Sequence, residues 1–130
     1  MPQEIVVLCL SVILLFVHIG LQGILATQEL GTSWNAGPRD EGLEPKGVMA
    51  GRADRALNNY KETWPALGVL ALALVVTGQA GGWGAAGAWI WFAGRLAYIP
   101  LYLMGVPYIR SLAWIVAAVG LFIMVVDILV

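Results

Sequence analysis

Charged residues are scarce, at 12% of 130 positions, about half the ~25% of a soluble domain. No Lys or Arg precedes the first apolar run, which follows Met1-Pro2-Gln3-Glu4. A cleaved signal peptide carries positive charge there, so this run reads as a retained helix. The net charge is −1, and without a basic field no nucleic-acid partner is expected. Cysteine is nearly absent. Cys9 alone cannot make an internal disulfide, no Cys/His cluster has metal-ligand spacing, and Cys9 reads as a small buried apolar residue. No internal repeat is evident, and there is no broken-helix pair of the kind found in many transporters.

Apolar length is what the chain has in excess. Hydrophobic residues make up 60% and fall in four runs, about Ile5–Ala26, Trp64–Gln79, Trp83–Met104 and Ile109–Val130. Each reaches or approaches the ~20 residues that cross a bilayer core. The second run continues a more polar helical segment. The expected fold is all-α, a single domain over residues 1–130 forming an integral membrane four-helix bundle in a lipid bilayer. The first loop, about Thr27–Gly51, contains Gly31, Gly37, Pro38, Gly42, Pro45 and Gly47, which are breaker signals. The second, Gly78–Gly84, is short and uncharged, and the third is the turn Gly105-Val106-Pro107.

Basic residues set the expected orientation. Arg39, Lys46, Arg52, Arg55 and Lys61 lie between runs one and two, Arg95 lies in the half of run three nearest the third loop, and Arg110 opens run four. The positive-inside rule places loops one and three in the cytoplasm. Both termini and loop two then face the non-cytoplasmic side.

Polar residues recur at helical spacing where lipid is expected. Arg52, Arg55, Asn59 and Glu62 fall within about 80° of one another on a helix. One face thus carries two guanidiniums, an amide and a carboxylate. The bland reading is an internal Arg55–Glu62 or Arg55–Asn59 network tying helices together. Arg95, Tyr98 and Tyr102 share a face about 60° wide. An arginine inside a membrane helix is a functional hypothesis by default, whereas tyrosines also form interfacial belts. Arg110-Ser111 opens the fourth run at the same end. Four arginines against Glu62 suit an anionic ligand that bears an amine, since guanidinium pairs with carboxylate in bidentate fashion. Glutathione, with two carboxylates and one amine, is such a ligand. His18 and Gln22, at i and i+4, read as helix–helix hydrogen bonding, or else as lining of an apolar cleft.

The string Arg52-x-x-Arg55-x-x-x-Asn59-x-x-Glu62-x-x-Pro65 resembles the helix-two signature of the MAPEG family. That family includes the microsomal glutathione transferases, leukotriene C4 synthase and microsomal prostaglandin E synthase. Gly94-Arg95-x-x-Tyr98-x-x-x-Tyr102 resembles its helix-three signature, and Arg110-Ser111 falls where the family has an arginine opening helix four. The resemblance covers all four runs. It implies a homotrimer with glutathione bound between neighbouring subunits, in a pocket open to the cytoplasm. By position, Arg55, Asn59, Glu62, Tyr98, Tyr102 and Arg110 carry over as glutathione-binding, and Arg95 as a pocket or supporting arginine. Gly84-x-x-x-Ala88 and Ala113-x-x-x-Ala117 suit close helix packing, within one subunit or between subunits.

The departures matter for chemistry. Trp114 stands where some members have an aromatic hydroxyl on helix four, whereas beside the asparagine, where several eicosanoid-handling members have a basic or amide residue, the chain has the amide Asn58. Gly37-Pro38-Arg39-Asp40 resembles bacterial members, which points to a bacterial inner membrane. Asp40 is a weak candidate acid, more simply a solvated loop charge. A thiol with pKa near about 8.5 is mostly protonated at neutral pH, and a nearby arginine favours the thiolate. The expected catalytic group is therefore Arg110, aided by Ser111 or Tyr102, activating glutathione against a lipophilic electrophile or hydroperoxide. A non-catalytic accessory subunit of a larger membrane complex is the alternative.

Overall fold

A computed structural model describes residues 1–130. The elements in chain order are α1 (Gln3–Leu30), α2 (Thr32–Ala36), α3 (Val48–Val76), α4 (Trp83–Leu103) and α5 (Ile109–Leu129). Four long helices form the bundle, and the short α2 sits within the first loop. Helix α1 runs on past Ala26 until Gly31, at φ 94°, turns the chain. Helix α3 is one unbroken rod from the polar segment through Pro65 and stops at Val76, where Gly78 adopts φ 74°.

The bundle is apolar on its outside as well as inside. Only 26 of 130 residues are buried, while Phe16, Val76 and Phe122 are exposed at 64%, 83% and 69%. A soluble monomer does not present so continuous an apolar surface to water. Helices α1 and α5 are each long and apolar enough to cross a membrane. Cys9 lies on this outer surface, contrary to the expected burial. Val7 and Ser11, two residues away on either side, face inward, which turns Cys9 to the opposite side of α1. A thiol behaves as a small hydrophobe, so it suits an apolar exterior.

Helices α4 and α5 touch through their backbones. A Cβ on Gly94 would lie 2.9 Å from the Ala113 carbonyl and 2.9 Å from the Ala117 amide nitrogen, and one on Gly120 would lie 2.6 Å from the Trp91 nitrogen. Ala88, Ala113 and Ala117 are buried between these helices or against the core. The small-residue pattern therefore serves packing within the subunit. Helix α1 is joined to α3 differently. The Tyr60 hydroxyl donates to the Ser11 carbonyl at 2.6 Å, and the Trp64 indole donates to the Ser11 hydroxyl at 2.9 Å. His18 does not make the expected inter-helix hydrogen bond. Its ring packs 4.7 Å from the Tyr60 ring, and its Nε2 has no partner.

Carboxylates tie the ends together. Glu29, near the end of α1, accepts from the backbone N–H of Lys46 at 2.5 Å and of Gly47 at 2.8 Å. It thereby satisfies donors at the entry to α3 that no side-chain cap within that turn covers. At the other end Glu4, fully buried, accepts from Gly81 N–H at 2.9 Å, and Asp127 accepts from Gly84 N–H at 2.9 Å.

Candidate functional site

The polar faces of three helices meet around one cavity of about 620 Å³, within the roughly 300–1,000 Å³ usual for small-molecule sites. Helix α3 contributes Arg55, Asn58, Asn59 and Glu62, α4 contributes Tyr98 and Tyr102, and α5 contributes Arg110, Ser111, Trp114 and Ile115. The 3.6-residue period places the α3 and α4 groups on single faces. The close α4–α5 approach brings the first turn of α5 beside them. Trp114 and Ile115 form an apolar flank that continues onto the exposed face of α5, through Leu112, Val116 and Val119.

Tyr102 is the hub. Its hydroxyl accepts from Arg55 Nε at 3.1 Å, and the Arg110 guanidinium lies 4.7 Å from its ring centroid. The Tyr98 ring is 5.4 Å away. The Arg55–Glu62 and Arg55–Asn59 pairs that spacing allows are replaced by cross-helix contacts. Arg55 directs its Nε to Tyr102, leaving both Nη groups, and Asn59 Oδ1 accepts from Arg95 Nη1 at 2.7 Å.

Two arginines of the sequence pattern stand outside the cavity wall. Arg95 is fully buried behind it, with its guanidinium 4.3 Å from the Tyr98 ring centroid and 5.3 Å from that of Tyr60. Arg52 serves α4 instead. Its Nη1 donates to the Leu103 carbonyl at 3.0 Å, satisfying one of the orphan acceptors at a helix C-terminus. It lies over Gly105, where φ is 69° and a Cβ would come 2.6 Å from the guanidinium. Four arginines against one carboxylate therefore becomes two, Arg55 and Arg110, against Glu62 at the cavity itself.

Asp40 lies in a separate depression with Trp34 and Arg39, on an exposed loop. Gln22 lines another with Glu44 and Asp54. No group of three or more His, Cys, Asp or Glu side chains is arranged to hold a metal ion. Ile115 is the lining residue that sequence reasoning did not single out. Its position four residues after Ser111 on one helix face was the available signal.

An all-helical bundle with an apolar exterior and a polar cavity at one end defines an integral membrane protein with a candidate ligand site. The sequence profile of the MAPEG family matches residues 7–130, and the chain belongs to that family. Membership carries a membrane role connected in general terms with glutathione or eicosanoid metabolism. No curated protein and no solved structure matches the chain.

Proposed function

We propose that the cavity binds glutathione and that the protein is a membrane glutathione transferase or peroxidase. The carrying observation is the charge set on one cavity: the Arg55 and Arg110 guanidiniums with the Glu62 carboxylate. Glutathione offers the complement. Its ammonium pairs with Glu62 and a carboxylate pairs with Arg55. Arg110 meets the thiolate, aided by Ser111 and by the Tyr102 hydroxyl, whose own proton is free because its oxygen is the acceptor for Arg55. The bound thiolate forms a C–S bond with an electrophilic carbon, displacing a leaving group or adding across an activated double bond. Alternatively it attacks the terminal oxygen of a hydroperoxide, breaking the O–O bond to release the alcohol and leave a glutathione sulfenic acid, which a second glutathione reduces to the disulfide and water. The apolar flank of Trp114 and Ile115 receives the lipophilic substrate, which arrives from the bilayer between neighbouring subunits.

Glutathione at 100 times its dissociation constant should stabilise the purified protein by about 2.7 kcal/mol, measured as a thermal shift beside an S-blocked analogue and a thiol-free control. Glu62→Gln should weaken binding. An unchanged affinity in that variant removes Glu62 from the site.

The cavity's open side supports a homotrimer. Arg55, Asn58, Glu62, Ser111, Trp114 and Ile115 are all exposed in one subunit, and a neighbouring copy would close over them. Native mass spectrometry in mild detergent should give three subunits, and monomer alone would contradict the assembly. We propose a bacterial inner membrane, from the resemblance of Gly37-Pro38-Arg39-Asp40 to bacterial members, with the termini on the non-cytoplasmic side by the distribution of basic residues. In a Cys9→Ala background, Ala80→Cys should react with an impermeant thiol reagent on intact cells and Glu41→Cys should not. The reverse pattern would invert the topology.

One observation favours an accessory role instead. Trp114 lines the cavity with an indole and offers no hydroxyl to the sulfur. A wild-type protein that binds glutathione without forming thiolate would give that reading the lead.

A further inference from the structure

Assigning glutathione to the cavity leaves one of its groups without a cation. Arg55 takes one carboxylate, Arg110 takes the sulfur and Glu62 takes the ammonium, so within one subunit the second carboxylate has no cation and is open to a neutral donor. Asn59 lines the same cavity, and its orientation is dictated from behind. Guanidinium has donors and no acceptor, so the side-chain atom of Asn59 that meets Arg95 Nη1 at 2.7 Å must be the amide oxygen. The amide nitrogen, with two N–H donors, is then turned away from Arg95.

The cation behind the amide is unusual in its isolation. Arg95 is 0% exposed, its Nε and Nη2 have no hydrogen-bond partner, and its other neighbours are the faces of Tyr60 and Tyr98. A buried charge with no carboxylate in contact is expensive, so one retained at this depth calls for a role. Its positive charge polarises the Asn59 amide along the direction that strengthens the outward N–H groups, as in any chain of hydrogen bonds in a low-dielectric interior.

We propose that Arg95 is a positioning residue that holds Asn59 as a hydrogen-bond donor, so that Asn59 reads an anionic oxygen, the second carboxylate of the peptide ligand. Resting on the glutathione reading above, the assignment extends the site by one layer. Arg95 never touches the ligand and acts through the amide.

The decisive variant is Asn59→Asp. It keeps an oxygen on Arg95 and provides the missing counter-charge, so the unliganded protein should melt at a higher temperature than wild type. It also turns an acceptor towards the ligand, and glutathione affinity should fall about 10- to 100-fold. If Asn59 instead offered its oxygen to the ligand ammonium, Asn59→Asp would bind glutathione as tightly as wild type or more so, and that result overturns the proposal. Two further variants separate positioning from simple support. Arg95→Met removes a buried charge and should melt no lower than wild type, yet bind glutathione about tenfold more weakly. Arg95→Lys, which restores a donor, should recover part of that loss. Wild-type affinity in Arg95→Met overturns the positioning role.

Calorimetric titration with glutathione and thermal melts without it, on full-length protein in detergent, read the two arms independently. A wild type that takes up no glutathione while Asn59→Asp still melts higher removes the ligand assignment above and supports the Arg95–Asn59 hold. A melting temperature in Asn59→Asp that does not rise overturns the hold itself.

Discussion

Arg110→Ala is expected to lower kcat about 100-fold, the scale of removing one preorganised electrostatic stabiliser, while changing the KM for glutathione only a few-fold. Only interactions stronger in the transition state or in the reactive ionised form raise the chemical rate. Arg110 sits on the first turn of α5 with its guanidinium over the Tyr102 ring, at the end of the cavity proposed to take the glutathione sulfur. In wild type the bound thiol should ionise below the ~8.5 of a free cysteine, because a neighbouring cation favours the charged form. Without Arg110 that pKa should return towards the free value, and the acid limb of the pH–rate profile should move to higher pH with it. Arg55→Ala should behave differently. A group that holds a carboxylate throughout gives uniform binding, so KM should rise about tenfold with kcat little changed. Ultraviolet titration of the thiolate beside steady-state kinetics reads both. A wild-type thiol pKa and rate in Arg110→Ala would remove Arg110 from the chemistry.

Gly120→Ala should cost about 3 kcal/mol of stability, the upper range for overpacking. The added methyl would meet the Gly87 carbonyl and the Trp91 amide nitrogen. Both are backbone atoms, so relief requires α4 and α5 to separate. Gly20→Ala is the control, since a Cβ there meets nothing within 4 Å and alanine favours the helix by roughly 1 kcal/mol. Equal melting temperatures for the two variants would show that α4 and α5 do not touch backbone to backbone at Gly120. Separation would also carry Arg110 away from Tyr102, so residual folded Gly120→Ala should lose activity beyond its loss of stability.

The sequence made the four long helices legible because apolar runs near 20 residues have few other solutions. It also made most of the cavity legible. Arg55, Asn59 and Glu62 share one helix face, Tyr98 and Tyr102 another, and helical periodicity alone brings each set together. Helical spacing cannot say which partners cross between helices. Arg52 belongs by spacing to the polar face of α3, but its register at the end of α4 sends it to the Leu103 carbonyl. Asn59 is within reach of Arg55 along α3, yet it meets Arg95 from α4. Ser11 gave no signal in a run of apolar residues, although its carbonyl and hydroxyl receive Tyr60 and Trp64. Cys9 faces outward although its residue type suggests burial, because the buried side of α1 carries the polar Glu4, Ser11 and His18 and an otherwise apolar run does not tell inside from outside.

The two carboxylates at the far end impose an order on how the chain can be completed during synthesis. Glu4 can engage the Gly81 N–H as soon as the loop after α3 has left the ribosome, so α1 and α3 can pair early. The Gly84 N–H, at the first turn of α4, has to wait for Asp127. Until some forty further residues are made, α4 presents an uncovered amide in its opening turn, and the glycine edge that fits α5 stays bare. The half-made bundle is therefore the vulnerable species, and an Asp127→Ala chain would prolong it. Such a chain should be cleared by membrane proteases more than its effect on the finished protein's melting temperature would indicate. Pulse-chase abundance compared with the melting temperature of the surviving protein separates the two, and equal deficits in both would contradict this order of assembly.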